Sequence, residues 1–386
     1  MRLGFGGWVV GRKLVVLAVV AVLAVSAVVA SASTASPQRF GLAAAAARSE
    51  QLRLSQAPTG LQAAVRRALG VSRSPLGGAS LQAKLTGSPN ASGSFGISVA
   101  IDGSTAVVGT VNPNSSTGAA YVFVRSGRVW SQQAKLAAPV GAPGGLINVS
   151  VAINGSTVVV GATDFFSGTG AVYVFVRSGT AWSQQAKLAA SDGAPGTQFG
   201  ISVAIDGSIV LAGASSNSGS TGAAYVFVRS GTAWSQQAEM TDPGGSWPND
   251  FFGGSVALDG STMVIGSPGG NPGGAAYVFV RSGTSWSQQA TLAASDGAPS
   301  AFGDSVAISG STVVVGAVPL VDWDSGTGAA YVFVRSGTAW SQQAKLTGPG
   351  GGAPGDGFGN SVAIEGSTAV VGAPGHNSAY VFALRS

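Results

Sequence analysis

The chain has 386 residues, with 60 glycines, 45% apolar side chains and only 9% charged ones. It has no cysteine, which excludes disulfides and thiol chemistry, and a single histidine, His376, which excludes a His-cluster metal site. The net charge of +5 does not mark a nucleic-acid binder, because the basic excess precedes residue 81; residues 81–386 hold eleven basic and fourteen acidic side chains.

Arg2, Arg12 and Lys13 precede an apolar run from Leu14 to Ala30, and small residues follow at Ala30-Ser31-Ala32 and Ser33-Thr34-Ala35. This order predicts a secretory signal peptide over residues 1–35. The mature chain is then expected to be secreted, extracellular or at the cell surface, with no stable membrane insertion after cleavage. The rival reading is an uncleaved anchor, since the apolar run is only just short of a membrane span. Residues 36–79 read as a linker or pro-segment. Within them, Thr59 and Gln62 stand at capping-box spacing. Leu61, Ala64, Val65, Ala68 and Leu69 form one apolar stripe that ends at Gly70, so a short helix is expected there.

From residue 80 the sequence repeats itself. "WSQQA" opens at Trp130, Trp182, Trp234, Trp286 and Trp340, at spacings of 52, 52, 52 and 54 residues. "FGISVAIDGSTAVVG" opens at Phe95 and returns at Phe199, Phe252, Phe302 and Phe358, with a worn copy at Ile147. Each unit reads as four strands. "SVAI" and "STVVVGA" meet across Asp-Gly or Asn-Gly, a pair suited to a type I′ turn; Glu365-Gly366 fits that turn poorly. "AAYVFVR" and "WSQQAKL" meet across Ser-Gly-Thr-Ala. Apolar residues occupy both faces of most strands, as expected of sheets covered on both sides. Four antiparallel strands repeated at this period make a propeller blade, and tight hairpins exclude a straight β-solenoid.

The last unit stops after "YVF" at Tyr380, while a lone "SLQAKL" (Ser80–Leu85) precedes the first "FG". The expected fold is therefore all-β: a six-bladed β-propeller over residues 80–386, with 24 strands in four-stranded antiparallel blades. The N-terminal strand is expected to close the last blade and cover its edge.

"FG" at 95, 199, 252, 302 and 358, with "VGA", "YVF" and the "GAPG" at Gly372–Gly375, resembles the FG-GAP repeat. Such repeats build the propeller of integrin α-subunits and occur in secreted bacterial proteins. The resemblance implies a propeller and an extracellular ligand-binding or adhesive role, and no reaction. The carboxylate-rich calcium loop of integrin-type blades has no counterpart here, so no metal site and no cofactor are expected.

In a four-stranded meander, turns 1–2 and 3–4 share one rim, while connections 2–3 and 4–1 share the other. The first set is nearly invariant and the second varies, so ligand contacts are expected on the second. The candidates are Asp322, Trp323 and Asp324, their counterparts Asp164 and Phe165, then Trp247, Asn249 and Asp250, and finally His376. Two readings fit the Asp-Trp-Asp group: an aromatic platform beside carboxylates for a sugar or a basic side chain, or a Trp packed on the blade with turn-forming aspartates. The second is the plainer one. The recurrent arginines and tryptophans read as scaffold. Asp304, at the start of an innermost strand, either faces the channel or caps the strand.

The chain is expected to act as a monomeric, non-catalytic module with an extracellular glycan or protein ligand and no nucleic-acid partner. The alternative is an extracellular hydrolase or lyase with its active site on the same rim, which would need converging acids, bases or metal ligands.

Overall fold

The structure, a computed structural model, describes residues 83–86, 94–112, 117–139, 147–164, 169–216, 221–245, 249–270, 273–297, 301–318, 327–348, 355–376 and 378–384. The expected signal peptide, the helix over residues 59–70 and Ser80–Gln82 lie outside them.

Blade one comprises β1 (Ser94–Asp102), β2 (Thr105–Asn112), β3 (Thr117–Ser126) and β4 (Val129–Pro139). Blade two comprises β5 (Ile147–Asn154), β6 (Thr157–Asp164), β7 (Ala171–Ser178) and β8 (Ala181–Leu188). Blade three comprises β9 (Phe199–Asp206), β10 (Ile209–Ala214), β11 (Ala223–Ser230) and β12 (Ala233–Met240). Blade four comprises β13 (Val256–Asp259), β14 (Thr262–Ser267), β15 (Ala275–Ser282) and β16 (Ser285–Leu292). Blade five comprises β17 (Phe302–Ser309), β18 (Thr312–Ala317), β19 (Ala329–Ser336) and β20 (Ala339–Leu346). Blade six comprises β21 (Ser361–Glu365), β22 (Thr368–Ala373) and β23 (Ser378–Ala383). Each blade is an antiparallel meander, four-stranded in the first five and three-stranded in the sixth. This is the expected six-bladed propeller. Ala83–Thr86 has no strand pairing, so the described strands number 23 and closure by an N-terminal strand is not part of this structure.

The hairpins differ from the sequence reading in one respect. Asp102 pairs with Thr105, so Gly103 and Ser104 are the two turn residues, and Asp102 ends the strand. Gly103 has φ +55 and Ser104 is not among the positive-φ residues. A single positive φ, at the first central position, is the type II′ pattern and not type I′. The misfit of Glu365 disappears, because it too is a strand residue, paired with Thr368.

What Asp102 does instead is reach the next blade. Its Oδ2 accepts from the amide of Gly155 at 2.5 Å. Asn154 does the same for Gly207 at 3.2 Å, Asp206 for Gly260 at 2.6 Å, Asp259 for Gly310 at 2.5 Å and Ser309 for Gly366 at 3.1 Å. A second ladder runs beside this one. The hydroxyl of Ser150 donates to the carbonyl of Gly200, Ser202 to Gly253, Ser255 to Gly303 and Ser305 to Gly359, at 2.7–2.8 Å. Ser98 donates to Val149 at 2.6 Å.

These bonds require the blades to touch through their main chains. A Cβ on Gly161, Gly213, Gly266 or Gly316 would collide with the carbonyl oxygen of Gly200, Gly253, Gly303 or Gly359 in the following blade. Gly170, Gly222, Gly274 and Gly328 lie as close to the main chain of Phe199, Phe252, Phe302 and Phe358, to which they form parallel bridges. The glycines of "VGA", "TGAAYVF" and "FG" are thus one contact seen from both sides.

Apolar packing follows the same plan. Five clusters each span two successive blades; one joins Val159, Val174 and Leu188 of blade two to Phe199, Tyr225 and Phe227 of blade three. Phe199 meets Tyr225 and Phe227 edge-on at 5.5 and 5.9 Å, and Phe302 packs on Tyr331 and Phe333 at 5.5 and 6.0 Å. The doubled glutamine of "WSQQ" is a β-bulge: Gln132 faces Phe123, while Gln133 is the extra residue. The bulge frees Gln133 to accept from the indole N–H of Trp182 in the next blade at 2.8 Å, as Gln185 accepts from Trp234 and Gln289 from Trp340. The arginines lie over these indoles, with Arg229 at 5.6 Å from the Trp234 ring. Both residue types are scaffold.

One first strand carries a charge at its start. Phe302 pairs with Ala317 and Ser305 with Gly316, so Asp304 lies in the bulge between them. Asp304 is half-buried, and burial raises its carboxyl to about 6 from 3.8. A carboxyl whose folded pKa is raised costs stability as pH rises, because above it the native state must desolvate a charge. The cost is absent below 3.8, grows up to about 6 and is complete above it, at most about 3 kcal/mol. Asp304→Asn is expected to raise the melting temperature at pH 8 and to lose that advantage near pH 4. An advantage independent of pH would contradict this placement. Gly316→Ala is expected to cost about 3 kcal/mol, the upper end for overpacking, because the atoms it strikes are main chain. Gly337→Ala, in an open hairpin turn, is expected to cost only about 1–2 kcal/mol. Chemical denaturation of the two variants checks the ranking.

Candidate ligand-binding rim

The end of the barrel carrying turns 1–2 and 3–4 is used up by the cross-blade ladder and the Trp–Gln bonds. The other end carries connections 2–3 and 4–1. Its lead-in loops are tied down by a repeated device. The hydroxyl of Tyr225 donates to Asp192 at 2.8 Å, and that of Tyr331 to Asp296 at 3.1 Å. Tyr277 bonds Asp242, which also takes the Ser267 hydroxyl at 2.6 Å and the Gly244 amide at 2.7 Å. Burial first, and then the facing carboxylate, push the hydroxyls of Tyr225 and Tyr277 well above the usual tyrosine range, so both stay protonated donors. Three loop bases, at Asp192, Asp242 and Asp296, are thus held by buried phenols.

The surface over these anchors changes from blade to blade. In blade five Lys345 sits 2.7 Å from Asp296 and holds that carboxyl below its ordinary value. In blade three the equivalent strand position is Glu239, opposite Tyr225. Burial, and then the charge of Asp192, raise the Glu239 carboxyl. Among the described residues of this rim, Asp192, Glu239, Asp242, Asp250, Asp296, Asp304 and Asp356 stand against Lys135, Lys187 and Lys345. The opposite rim has Arg125, Arg128, Arg177, Arg229, Arg281 and Arg335 against Asp102, Asp206, Asp259 and Glu365. Among the described residues the two rims therefore carry opposite net charge.

Of the residues singled out in the sequence, Phe165, Trp247, Asp322, Trp323 and Asp324 lie outside the described residues. Asp164 ends β6 opposite Ile147, and His376 ends a 3₁₀ turn over Pro374–His376. Asn249 is exposed, with φ +68. Asp250 beside it is fully buried, and its carbonyl accepts from the Gly269 amide at 3.0 Å and the Ser267 hydroxyl at 3.2 Å. It therefore belongs to the frame of the loop, and Asn249 is the member of the pair that faces solvent. Asp356 holds the same post in blade six: its carbonyl accepts from Gly375 at 3.0 Å and its carboxylate from the Phe358 amide at 3.0 Å. The shared Asp-x-Phe spacing of Asp250–Phe252 and Asp356–Phe358 is the signal that marks this structural role. Among the described residues, no group of three or more His, Asp or Glu side chains could hold a metal ion.

The FG-GAP repeat family matches residues 80–123, 130–175, 182–227, 234–279, 286–333 and 340–382. No curated protein matches the chain in sequence. Among solved structures, it is similar to a putative 6-phosphogluconolactonase from Bacteroides uniformis ATCC 8492, at a TM-score of 0.54 and 14% identity over 75% of this chain and 80% of that one. A likeness at that identity concerns the fold alone. From the second on, each matched repeat runs from the fourth strand of one blade through the third strand of the next, so the repeats are offset from the blades by one strand; with six repeats across residues 80–382, the chain belongs to the FG-GAP repeat family.

Proposed function

We propose that the chain is a secreted, non-catalytic binding or adhesion module that takes an extracellular protein or glycan on the rim of variable loops. One observation carries this reading: the side chains of the invariant rim are committed to the neighbouring blade, while the loops of the other rim are anchored at their bases and differ at their tips. The contacts assigned to the ligand are Trp323 with Asp322 and Asp324, Asp164 and Phe165, Trp247 with Asn249, and His376. The excess of carboxylates on that rim favours a ligand with basic groups over an acidic glycan. The propeller acts as a monomer.

Residues 80–386 probed on a glycan and matrix-protein array are expected to bind a basic partner, and to bind it less well between about 0.05 and 0.5 M salt. Trp323→Ala is expected to weaken binding by about tenfold or more, as buried aromatic anchors do, while Arg229→Ala leaves it within about twofold. The reverse ranking would move the site to the opposite rim. Turnover of an arrayed polysaccharide or peptide would replace this reading with an extracellular hydrolase or lyase. Export carries its own check: secreted material is expected to begin near Ser33 or Ser36 by mass spectrometry, and a retained Met1 would refute cleavage.

A further inference from the structure

Three junctions share one polar clamp at their outer edge, and a fourth departs from it. Where blade two meets blade one, blade three meets blade two and blade five meets blade four, the indole N–H of Trp182, Trp234 and Trp340 donates to Gln133, Gln185 and Gln289 at 2.8–2.9 Å. Arg177, Arg229 and Arg335 lie over those same indoles at 5.6–5.7 Å. Where blade four meets blade three the clamp is different. Gln237 is the bulge residue of β12, as Gln185 is of β8. It accepts from Nη2 of Arg281 at 3.3 Å instead of from the tryptophan. Trp286 Nε1 and Arg281 Nε are then both buried without a hydrogen-bond partner.

The difference has a cause in the second strand of the preceding blade. Nη1 of Arg177 donates to the hydroxyl of Thr105 at 3.5 Å, and Nη1 of Arg335 to that of Thr262 at 3.4 Å. These threonines open β2 and β14. Arg229 has Thr157 at that place and likewise leaves Gln185 to its tryptophan. Ahead of Arg281 the same place, the first residue of β10, is Ile209. Ile209 is buried in the apolar cluster between blades three and four and has no atom that accepts a hydrogen bond. Arg281 therefore draws its acceptor from the clamp, and the indole is left without one. A buried donor with no acceptor gives up its hydration and gains nothing for it.

We infer that the outer edge of this junction is a built-in seam: Ile209 withholds an acceptor from Arg281, Arg281 takes Gln237 from Trp286, and the propeller opens locally here before it opens at the junctions whose clamp is complete. The apolar packing across the junction is in place, with Leu211 and Met240 of blade three against Phe252 and Tyr277 of blade four. The inner ladder is in place too, with Ser202 bonded to Gly253 and Asp206 to Gly260. The inner strands thus stay joined and act as the hinge, and blades one to three can tilt against blades four to six.

Hydrogen exchange at the indole N–H groups reads the clamp directly, by NMR of the full chain carrying isotope-labelled tryptophan. The signals are assigned from the variants Trp182→Phe, Trp234→Phe, Trp286→Phe and Trp340→Phe. The Trp286 proton is expected to exchange at least about tenfold faster than the other three. Ile209→Thr is expected to give Arg281 its acceptor, return Gln237 to Trp286 and slow that proton to within about threefold of the Trp234 proton. Ile209→Val, which has the shape of threonine without the oxygen, is expected to leave it fast. If neither variant folds, the comparison of the four protons in the unaltered chain decides alone. Equal exchange of the four would overturn the inference, and so would a Trp286 proton slowed by both Ile209→Thr and Ile209→Val or by neither.

Discussion

The contact on which the rest of this protein depends is made between main chains of successive blades. The "VGA" glycine of one blade lies against the "FG" carbonyl of the next, at a separation that leaves no room for a side chain. A neighbouring serine hydroxyl then reaches that same carbonyl, and the strand-end aspartate reaches the next turn amide. Charge-assisted bonds from carboxylates to amides are among the stronger ones available, and here they recur with the period of the fold. The large side chains are arranged around this contact. Phe199, Phe302 and Phe358 are each wedged against the preceding blade and packed on the Tyr and Phe of their own third strand, so that polar and apolar terms fix the same blade angle.

This arrangement gives the two rims different structural burdens. One rim is consumed by turn-to-turn bonds, Trp–Gln bonds and stacked arginines, and its residues repeat because each blade presents the same surface to the next. On the other rim, buried Tyr–Asp bonds fix three of the loop bases. Beyond those anchors the sequence is free to differ, and it does. Exposed ion pairs such as Lys345–Asp296 add little to stability in water. The spread of carboxylates there therefore has little bearing on the stability of the fold. Asp304 is the exception, a carboxyl partly buried in the bulge near the start of β17.

Much of the fold was legible in the sequence because the repeat is long and its punctuation regular. The six copies, the four strands in each and the division into two rims all follow from "SVAI", "VVVGA", "YVF" and "QAKL" in order. The turn type did not follow. Asp-Gly fits a type I′ turn as well as it fits a strand-end Asp before a type II′ glycine, and only the register distinguishes them. The cross-blade roles of Asp102, Ser150 and Gln133 were hidden for a related reason: their partners lie about one repeat away, and local patterning does not encode what a side chain meets in the next unit. The site was less legible than the fold. Asp250 reads as a loop carboxylate beside a tryptophan, yet it is buried and braces the loop, as Asp356 does in a blade without that tryptophan.

The direct test of the central contact is hydrogen exchange at single glycine amides. Gly155, Gly207 and Gly260 stand in hairpin turns where the neighbouring blade supplies an acceptor, while Gly127, Gly179 and Gly231 stand in turns of the same type where none does. If the blades are held by turn-to-turn bonds, the first three amides exchange at least about tenfold more slowly than the second three, and Asp206→Ala releases Gly260 alone. Equal exchange in the two sets, or a release spread over every blade, would contradict the account.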